Sequence, residues 1–302
     1  MAQETRNAYG QALAELVQQN EKIVVLDADL TKSTKTAEAK KVCPERHFNA
    51  GIAECNMMGM AAGLAASGKT VFASSFAVFA TGRAFEIIRN SICYPHLNVK
   101  VCATHAGLSV GEDGASHQSV EDVALMRSLP HMRVYVPCDQ YETKAVIRYV
   151  AETEGPCYVR LGRGKVEDVY DENSEFDFSK VRVLRKGNGD VVLFAMGLMV
   201  QEALKAAEEL DSTVVAVTCL KPIDEEGILE LLKGHKKAYT CEEHSIIGGL
   251  YSAIAEVKAK SDVCTPVTPI GVNDTFGESG KAKDVLKKYG ISAEHIVEVV
   301  KG

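Results

Sequence analysis

Short apolar runs and longer amphipathic segments alternate along the first half of the chain. Four runs of three to five residues are dominated by apolar side chains and have the character of buried strands: 23–26, 99–103, 133–136 and 157–159. Segments of helical length, amphipathic or rich in small residues, lie around them: 8–19, 54–66, 83–92, 121–128 and 140–151. This alternation predicts an α/β layered domain built on a mainly parallel sheet.

The alternation stops and then begins again in the second half. Residues 164–190 are polar and acidic, which indicates a linker. After it, strand-like runs at 191–195, 214–217, 238–241 and 266–270 alternate with helical segments at 200–210, 225–232 and 249–259. The pattern predicts two doubly wound α/β domains, each a mainly parallel or mixed sheet with helices on both faces. We expect the first domain at 1–165, the linker at 166–190 and the second domain at 191–302.

Composition narrows the class of partner. A length of 302 residues fits two domains, and a net charge of −7 argues against a general nucleic-acid partner, which needs a basic face. The chain has no apolar run long enough to span a bilayer and no signal peptide at its start, so we expect no membrane partner. The nine cysteines form no Cys-x-x-Cys pair, which favours a reducing cytoplasm over a disulfide framework or a zinc site.

Three polar stretches lie where a doubly wound sheet binds ligands, at the carboxyl ends of strands: 27–33, 49–54 and 104–118. The loop 104–118 is the most informative, because it holds two histidines, His105 and His117, and two acids, Glu112 and Asp113, among three glycines. Glycines permit tight turns, while imidazoles and carboxylates hydrogen-bond polyhydroxylated substrates or move protons.

Ordinary structural roles explain the loop 104–118 equally well, and for Glu54 and the other single residues spacing alone favours the structural role. The loop 104–118 has the composition of a surface loop with turn glycines, and its spacing fits no standard metal site. Glu54 suits the first turn of a helix, where the dipole favours an acid. Five further residues have similar explanations as turn, core or surface positions: Asp29, Phe76, Phe79, Arg6 and Arg163. From the residues alone these alternatives stay open.

Several motifs, taken together and in order, resemble the transketolase family. ADLTKS at 28–33, GIAECNM at 51–57 and the loop 104–118 resemble its pyrimidine-binding domain. The second half resembles its C-terminal domain through VTCLKPID at 217–224, EEHSIIGG at 242–249 and FGESG at 276–280. Because these motifs are in register over the whole chain, the resemblance is far more specific than any single motif.

The resemblance implies a thiamine-diphosphate enzyme. Glu54 corresponds to the glutamate that hydrogen-bonds N1′ of the aminopyrimidine and favours the tautomer whose 4′-nitrogen removes the C2 proton. Phe76 and Phe79 correspond to the aromatic pocket of the pyrimidine, where the family often has Tyr at the position of Phe79. Another family aromatic is replaced by Ala73, so the pocket differs there. Asp29 corresponds to an acid near the thiazolium at the dimer interface.

The same resemblance implies transfer of a two-carbon ketol unit from a ketose phosphate to an aldose phosphate, with pentose-phosphate sugars as the default substrates. His117 and His105 correspond to catalytic histidines that contact the donor ketose and the sugar phosphate, and Asp113 corresponds to an aspartate that reads the C2 hydroxyl. Three further residues correspond to phosphate ligands: Arg6, Ser33 and Arg163. The forked guanidinium suits phosphate.

One departure from the family is an absent motif. These enzymes hold magnesium (or calcium) and the diphosphate through Gly-Asp-Gly and a later Asn, in a separate domain that precedes the region seen here. This chain has no Gly-Asp-Gly. The segment KGNGD at 186–190 contains Gly, Asn and Asp in a different order and lies within the predicted linker. Since Met1 stands where the second family domain starts, we expect the small subunit of a split transketolase rather than a truncated chain.

The expected partner is therefore an N-terminal transketolase subunit that carries the diphosphate-binding domain. Closed two-fold symmetry is the commonest way to build such shared sites, so we expect a dimer of this chain within a heterotetramer. The helix that begins at Glu54 contains Met57, Met58, Gly59 and Met60, and we expect such small or flexible residues to lie near the two-fold interface. The alternative is that they pack only within their own domain.

Three alternative functions fit the sequence less well. A deoxyxylulose-phosphate-synthase-like enzyme tends to have Arg early in the loop where this chain has His105. A β-type subunit of a 2-oxo-acid dehydrogenase would lack the sugar-contacting loop that this chain has at 104–118, with Asp113 and His117. A regulatory binding protein that kept the fold has no use for Glu54.

Overall fold

The computed structural model describes residues 2–302 and contains parallel-dominated sheets flanked by helices, which confirms the predicted α/β class. Its strands are β1 Gln3–Glu4, β2 Ile23–Asp27, β3 His47–Asn49, β4 Thr70–Ser74, β5 Val99–Ala103, β6 Arg133–Tyr135, β7 Cys157–Arg160, β8 Lys165–Val166, β9 Arg182–Arg185, β10 Val191–Ala195, β11 Thr213–Ala216, β12 Cys219–Lys221, β13 Lys237–Ser245 and β14 Val267–Val272.

The α-helices alternate with these strands, as the sequence pattern predicts. They are α1 Thr5–Gln19, α2 Thr31–Thr34, α3 Ala37–Val42, α4 Glu54–Ala66, α5 Phe85–Ile87, α6 Asp122–Ser128, α7 Gln140–Glu152, α8 Met199–Leu210, α9 Glu225–Lys233, α10 Leu250–Ala259, α11 Ala282–Lys288 and α12 Ala293–Lys301. Helical turns of π type at Val78–Arg83 and Ile88–Cys93 flank α5, so the helix predicted at 83–92 is part of a longer, irregular one.

The first large sheet has the strand order β12-β6-β7-β5-β4-β2-β3. All of its pairs are parallel except β12 with β6. β12 belongs to the second half of the chain, so the two halves share a sheet. The local sequence pattern does not predict this pairing. The second large sheet has the order β14-β13-β10-β11-β9, in which only β9 is antiparallel to its neighbour.

The polar segment at 166–190 is partly structured. β8 pairs with β1, and β9 forms the edge of the second sheet against β11. Both strands are too short and too polar to stand out as apolar runs. The segment expected to link the domains thus contains paired backbone. The domain limits themselves stay a prediction.

β3 and β4 are absent from the strands that the sequence predicts. β4 reads TVFAS and is buried throughout, yet its Ala, Ser and Thr continue the small-residue composition of the preceding helix. Burial on both faces of a parallel strand removes the alternation that would reveal it. β4 nevertheless lies at the centre of the first sheet, between β2 and β5.

A buried ion pair of the first half also contacts the backbone of the second half. Arg160 on β7 donates from Nε to Asp122 Oδ2 at 2.8 Å and from Nη2 to the carbonyl of Glu243 on β13 at 2.9 Å. Tyr158 donates to the same Asp122 oxygen at 2.6 Å. The bond from Arg160 to the Glu243 carbonyl links the two sheets, and removing Asp122 would leave the buried charge of Arg160 uncompensated. Within residues 2–302 no helix is long and apolar enough to cross a bilayer.

Candidate active site

Parallel pairing brings the polar stretches of the first sheet to one edge. β4 pairs in parallel with β2 on one side and with β5 on the other. The loops that follow these three strands therefore leave the sheet side by side at its carboxyl edge, where such sheets bind ligands. A backbone bridge between Phe76 and Thr104 continues the contact beyond the strands.

Two phenylalanines and two histidines form a cluster of rings at this edge. The Phe76 ring stacks on the His105 imidazole with centroids 3.7 Å apart, and it lies 6.2 Å from the His117 ring. Phe79 lies edge-on to His117 at 5.2 Å and 6.1 Å from Phe76. The structure thus joins residues that the sequence places in two separate stretches, the one after β4 and the one after β5.

His105 is a neutral imidazole with a defined tautomer. Arg6 Nη1 lies 3.3 Å from His105 Nε2, and a guanidinium only donates hydrogen bonds, so Nε2 accepts. The ring proton is therefore on Nδ1, which donates to Thr104 Oγ1 at 2.9 Å. Burial lowers the pKa of His105 to about 3, with the charges of Arg6 and Arg163 adding to the effect. Both guanidinium groups thus act on one imidazole.

The predicted phosphate ligands lie around His105. Arg6 on α1 donates from Nη1 to the backbone carbonyl of Ser33 at 3.1 Å and from Nε to Glu4 at 3.0 Å. Arg163 approaches the acidic part of the loop, with Nη1 3.7 Å from Asp113 Oδ2, and it donates to the carbonyl of Val110. The contact of Ser33 is through its backbone.

Glu54 is the first residue of α4 and is 2% exposed. Arg83 donates from Nη1 to Glu54 Oε2 at 2.6 Å, and its guanidinium also lies 4.9 Å from the centre of the Phe79 ring. Half of the Arg83 side chain is exposed, so the partner of this buried carboxylate reaches it from the surface. No sequence motif marks Arg83, which stands at the start of a predicted helix.

Asp29 is exposed and held by an asparagine. Its backbone N–H donates to Asn49 Oδ1 at 3.0 Å, and Asn49 Nδ2 donates to Asp29 Oδ1 at 3.2 Å. The neighbouring Asp27 is buried and accepts hydrogen bonds from Thr31 and Thr36, which gives it the turn-shaping role. Asn49 is the second residue that sequence reasoning missed, although it lies in one of the three polar stretches.

The predicted site is open rather than enclosed. A cavity of about 760 Å³ lies between the two halves and is lined by residues of both, among them Ser109, Arg160 and Glu243. None of the ten residues predicted for the site lines it. Asp29, Asp113 and half of Arg83 face the surface, so the site as built by this chain lacks a cover. No group of three or more potential metal ligands occurs within residues 2–302.

Two family models match the chain in sequence order, the transketolase pyrimidine-binding domain at residues 1–168 and the transketolase C-terminal domain at residues 179–296. A Methanocaldococcus jannaschii protein, provisionally described as a transketolase C-terminal section, is 52% identical over 97% of this chain and 94% of its own length. A Clostridium protein described as a 6-deoxy-6-sulfo-D-fructose transketolase subunit is 40% identical over 97% of this chain and 92% of its own. The rat transketolase is 37% identical over 99% of this chain but only 48% of its own length.

Two solved transketolase structures each cover 99% of this chain. One described as a split-gene transketolase, an inactive β4 tetramer, has a TM-score of 0.89 and 51% identity, covering 99% of this chain and 97% of that chain. The Leishmania mexicana transketolase has a TM-score of 0.84 and 26% identity, covering 99% of this chain and 45% of that chain.

Replacing His105 should make the fold less sensitive to acid. Because the folded pKa of His105 lies below its ordinary value, stability is lost as pH falls below about 6.5, where only the unfolded chain takes up the proton. His105→Gln should abolish about 2 kcal/mol of the wild-type loss in unfolding free energy between pH 7 and pH 5. Denaturant unfolding at the two pH values measures it.

His295→Gln is the matched control, because that imidazole is partly exposed on α12 and lies 3.4 Å from Glu298 on the same helix. It should follow the wild type at both pH values. Equal acid sensitivity of the wild type and His105→Gln would show that the imidazole titrates normally in the folded chain.

Proposed function

Because the chain belongs to the transketolase family, we propose that it is the C-terminal half of a split, thiamine-diphosphate-dependent transketolase. The reaction is transfer of a two-carbon ketol unit from a ketose phosphate to an aldose phosphate. The observation that carries the proposal is the convergence, at one sheet edge, of a buried carboxylate, two aromatic rings, two imidazoles and two guanidinium groups.

The residues at this edge fit a thiamine pyrimidine. Phe76 and Phe79 offer ring faces and edges, and Glu54 offers a carboxylate at the first turn of α4. Arg83 engages Glu54 Oε2, so Oε1 is the oxygen proposed to bind the pyrimidine nitrogen. When bound, thiamine diphosphate supplies the nucleophilic carbon that carries the two-carbon unit. The burial of Glu54 keeps this hydrogen bond away from water, which strengthens it.

The sugar side is suited to a terminal oxyanion. Arg6 and Arg163 bring positive charge to His105 and are proposed to donate to an anion, while His105 Nε2 accepts from Arg6 and so orients that guanidinium. His117 and Asp113 lie on the same loop and are proposed to contact the donor hydroxyls. The Clostridium relative is described as acting on a sulfosugar, so a sulfonate is the second oxyanion that this cluster would take. We propose phosphate as the substrate group.

A partner must complete the site. The chain spans about half of the rat transketolase, and it lacks the Gly-Asp-Gly motif of the magnesium-diphosphate site. The open side formed by Asp29, Arg83 and Asp113 is the surface that we propose the N-terminal subunit covers. That subunit would hold the magnesium (or calcium) ion and the diphosphate. The nine cysteines are all free, which supports a location in the reducing cytoplasm.

Glu54→Gln tests the cofactor role. In the complex with the N-terminal subunit, this change should lower kcat at least about a hundredfold, because an amide does not supply the charge that the pyrimidine nitrogen needs. The fold should hold, since Gln is as good a helix former as Glu. Steady-state turnover and thermal unfolding of the same samples measure both effects.

Arg83→Gln separates the cofactor role from the ion pair. It removes the other partner of the 2.6 Å contact while leaving the carboxylate in place. If Glu54 serves only that ion pair, the two variants will lose activity equally. The proposal requires a much smaller loss in Arg83→Gln than in Glu54→Gln.

α4 is proposed to lie at a two-fold interface of this chain. Its outer face carries Gly59 and Gly63, both exposed, and a Cβ added at either would meet no atom within 4 Å. Ile52, just before the helix, is 79% exposed. Small residues let a second helix approach closely, and an exposed apolar neighbour adds area to bury. The solved relative is described as a β4 tetramer, which supports self-association of this chain. We propose that a dimer of this chain recruits two N-terminal subunits into a heterotetramer.

Gly59→Arg should disrupt that self-association. Light scattering on the isolated wild-type chain should give at least a dimer at micromolar concentration, and the variant should shift to monomer. Gly234→Arg places the same charge at an exposed glycine after α9 and should leave the mass unchanged. A monomeric wild type would contradict self-association, and a Gly59→Arg variant of wild-type mass would remove α4 from the interface.

A further inference from the structure

The loop between His105 and His117 lies directly against the C-terminal half of the chain. Its three glycines all have positive φ: Gly107, Gly111 and Gly114. A Cβ at Gly107 would lie 2.3 Å from Glu243 Cδ, and one at Gly114 would lie 2.4 Å from Ser279 Oγ. A Cβ at Gly111 would lie 3.1 Å from the backbone nitrogen of Ala282. The backbone of the loop 104–118 therefore lies against the C-terminal half of the chain at each glycine.

Hydrogen bonds fix the same contact. Glu243 Oε1 accepts from the backbone N–H of Ser109 at 2.5 Å. At the other end of the loop, Gln118 Nε2 donates to the carbonyl of Glu278 at 3.0 Å and to that of Gly111 at 3.2 Å. The loop is thus attached to the C-terminal half close to both histidines.

Glu243 is buried, and its carboxylate serves the loop. Its side chain is packed against Gly107 and bonded to Ser109, both in the first half, although Glu243 belongs to β13 of the second sheet. Arg160 holds its backbone carbonyl, so the strand position is fixed independently of the carboxylate. Burial raises the pKa of Glu243 to about 7, because desolvation disfavours its charged form.

We propose that Glu243 is a positioning residue of the sugar site. Its carboxylate holds Gly107 and Ser109, and it thereby sets the loop that carries His105, Asp113 and His117. This inference rests on the proposed function and deepens it, because it gives the C-terminal domain a task in substrate recognition. Loss of the carboxylate frees the loop without removing any group that touches substrate.

The neighbouring Glu242 supplies a matched control. It is equally buried, burial likewise raises its pKa to about 7, and its carboxylate accepts from the backbone N–H groups of Leu250 and Tyr251 at the start of α10. It makes no hydrogen bond to the loop 104–118 among those of residues 2–302. Glu242→Ala therefore reports the cost of losing a buried, hydrogen-bonded acid from the same strand.

The experiment has two readouts. Amide hydrogen exchange on the isolated full chain should show segment 104–118 exchanging at least about tenfold faster in Glu243→Ala than in Glu242→Ala, because only the former loses a loop hydrogen bond. In the complex with the N-terminal subunit, Glu243→Ala should raise KM for the ketose phosphate about tenfold with a smaller change in kcat, as expected for lost binding geometry. Glu243→Gln should restore much of both, since its amide oxygen still accepts from Ser109.

The outcomes separate this inference from the proposed function. Unchanged exchange at 104–118 in Glu243→Ala, or the same change in Glu242→Ala, overturns the positioning role whether or not the complex is active. Faster exchange confined to the loop, in a complex that transfers no ketol unit, supports the contact and contradicts the reaction. If Glu243→Ala does not fold, Glu243→Gln decides by the same readouts: a loop as rigid as wild type with KM unchanged supports the acceptor role, and a KM increase with a rigid loop contradicts it.

Discussion

The parallel pairing of β4 with β2 and β5 is the constraint on which the candidate site depends. Parallel strands end at the same edge, so three stretches that are far apart in sequence emerge together. Phe76 and His105 come from neighbouring strands and stack at 3.7 Å because the backbone bridge between Phe76 and Thr104 fixes their spacing. Arg6 reaches this point from α1, with Nη1 3.3 Å from His105 Nε2.

The protonation state of His105 follows from its position among these side chains at the sheet edge. Burial of His105, together with the charges of Arg6 and Arg163, makes the imidazolium unfavourable, which is why its pKa falls to about 3. The positive charge of Arg6 and Arg163 thereby stays available to an anion. Glu54 illustrates the opposite arrangement, a buried carboxylate with a half-exposed arginine as its partner. Both features suit a site that awaits an anionic substrate and a second protein surface.

The sequence predicts much of the fold because most strands are apolar runs flanked by helical segments. It does not predict β4, whose Ala and Ser resemble the preceding helix, or β12, whose partner β6 is more than 80 residues away. The ten predicted site residues were found through motifs of a family, and the structure gathers eight of them around the rings of Phe76 and Phe79 or the side chains of Arg6 and Arg163. Arg83, Asn49 and Glu243 were missed because their importance lies in contacts between distant segments, which no spacing rule contains.

The dependence of this chain on a partner subunit is tested most directly by cofactor binding. Calorimetric titration of thiamine diphosphate with magnesium should be run on the isolated chain, on the N-terminal transketolase subunit, and on their mixture, followed by an assay of ketol transfer from a ketose phosphate. We expect weak binding and no turnover by the isolated chain, with tight binding and turnover only in the mixture. Tight binding with turnover by the isolated chain would contradict dependence on a partner.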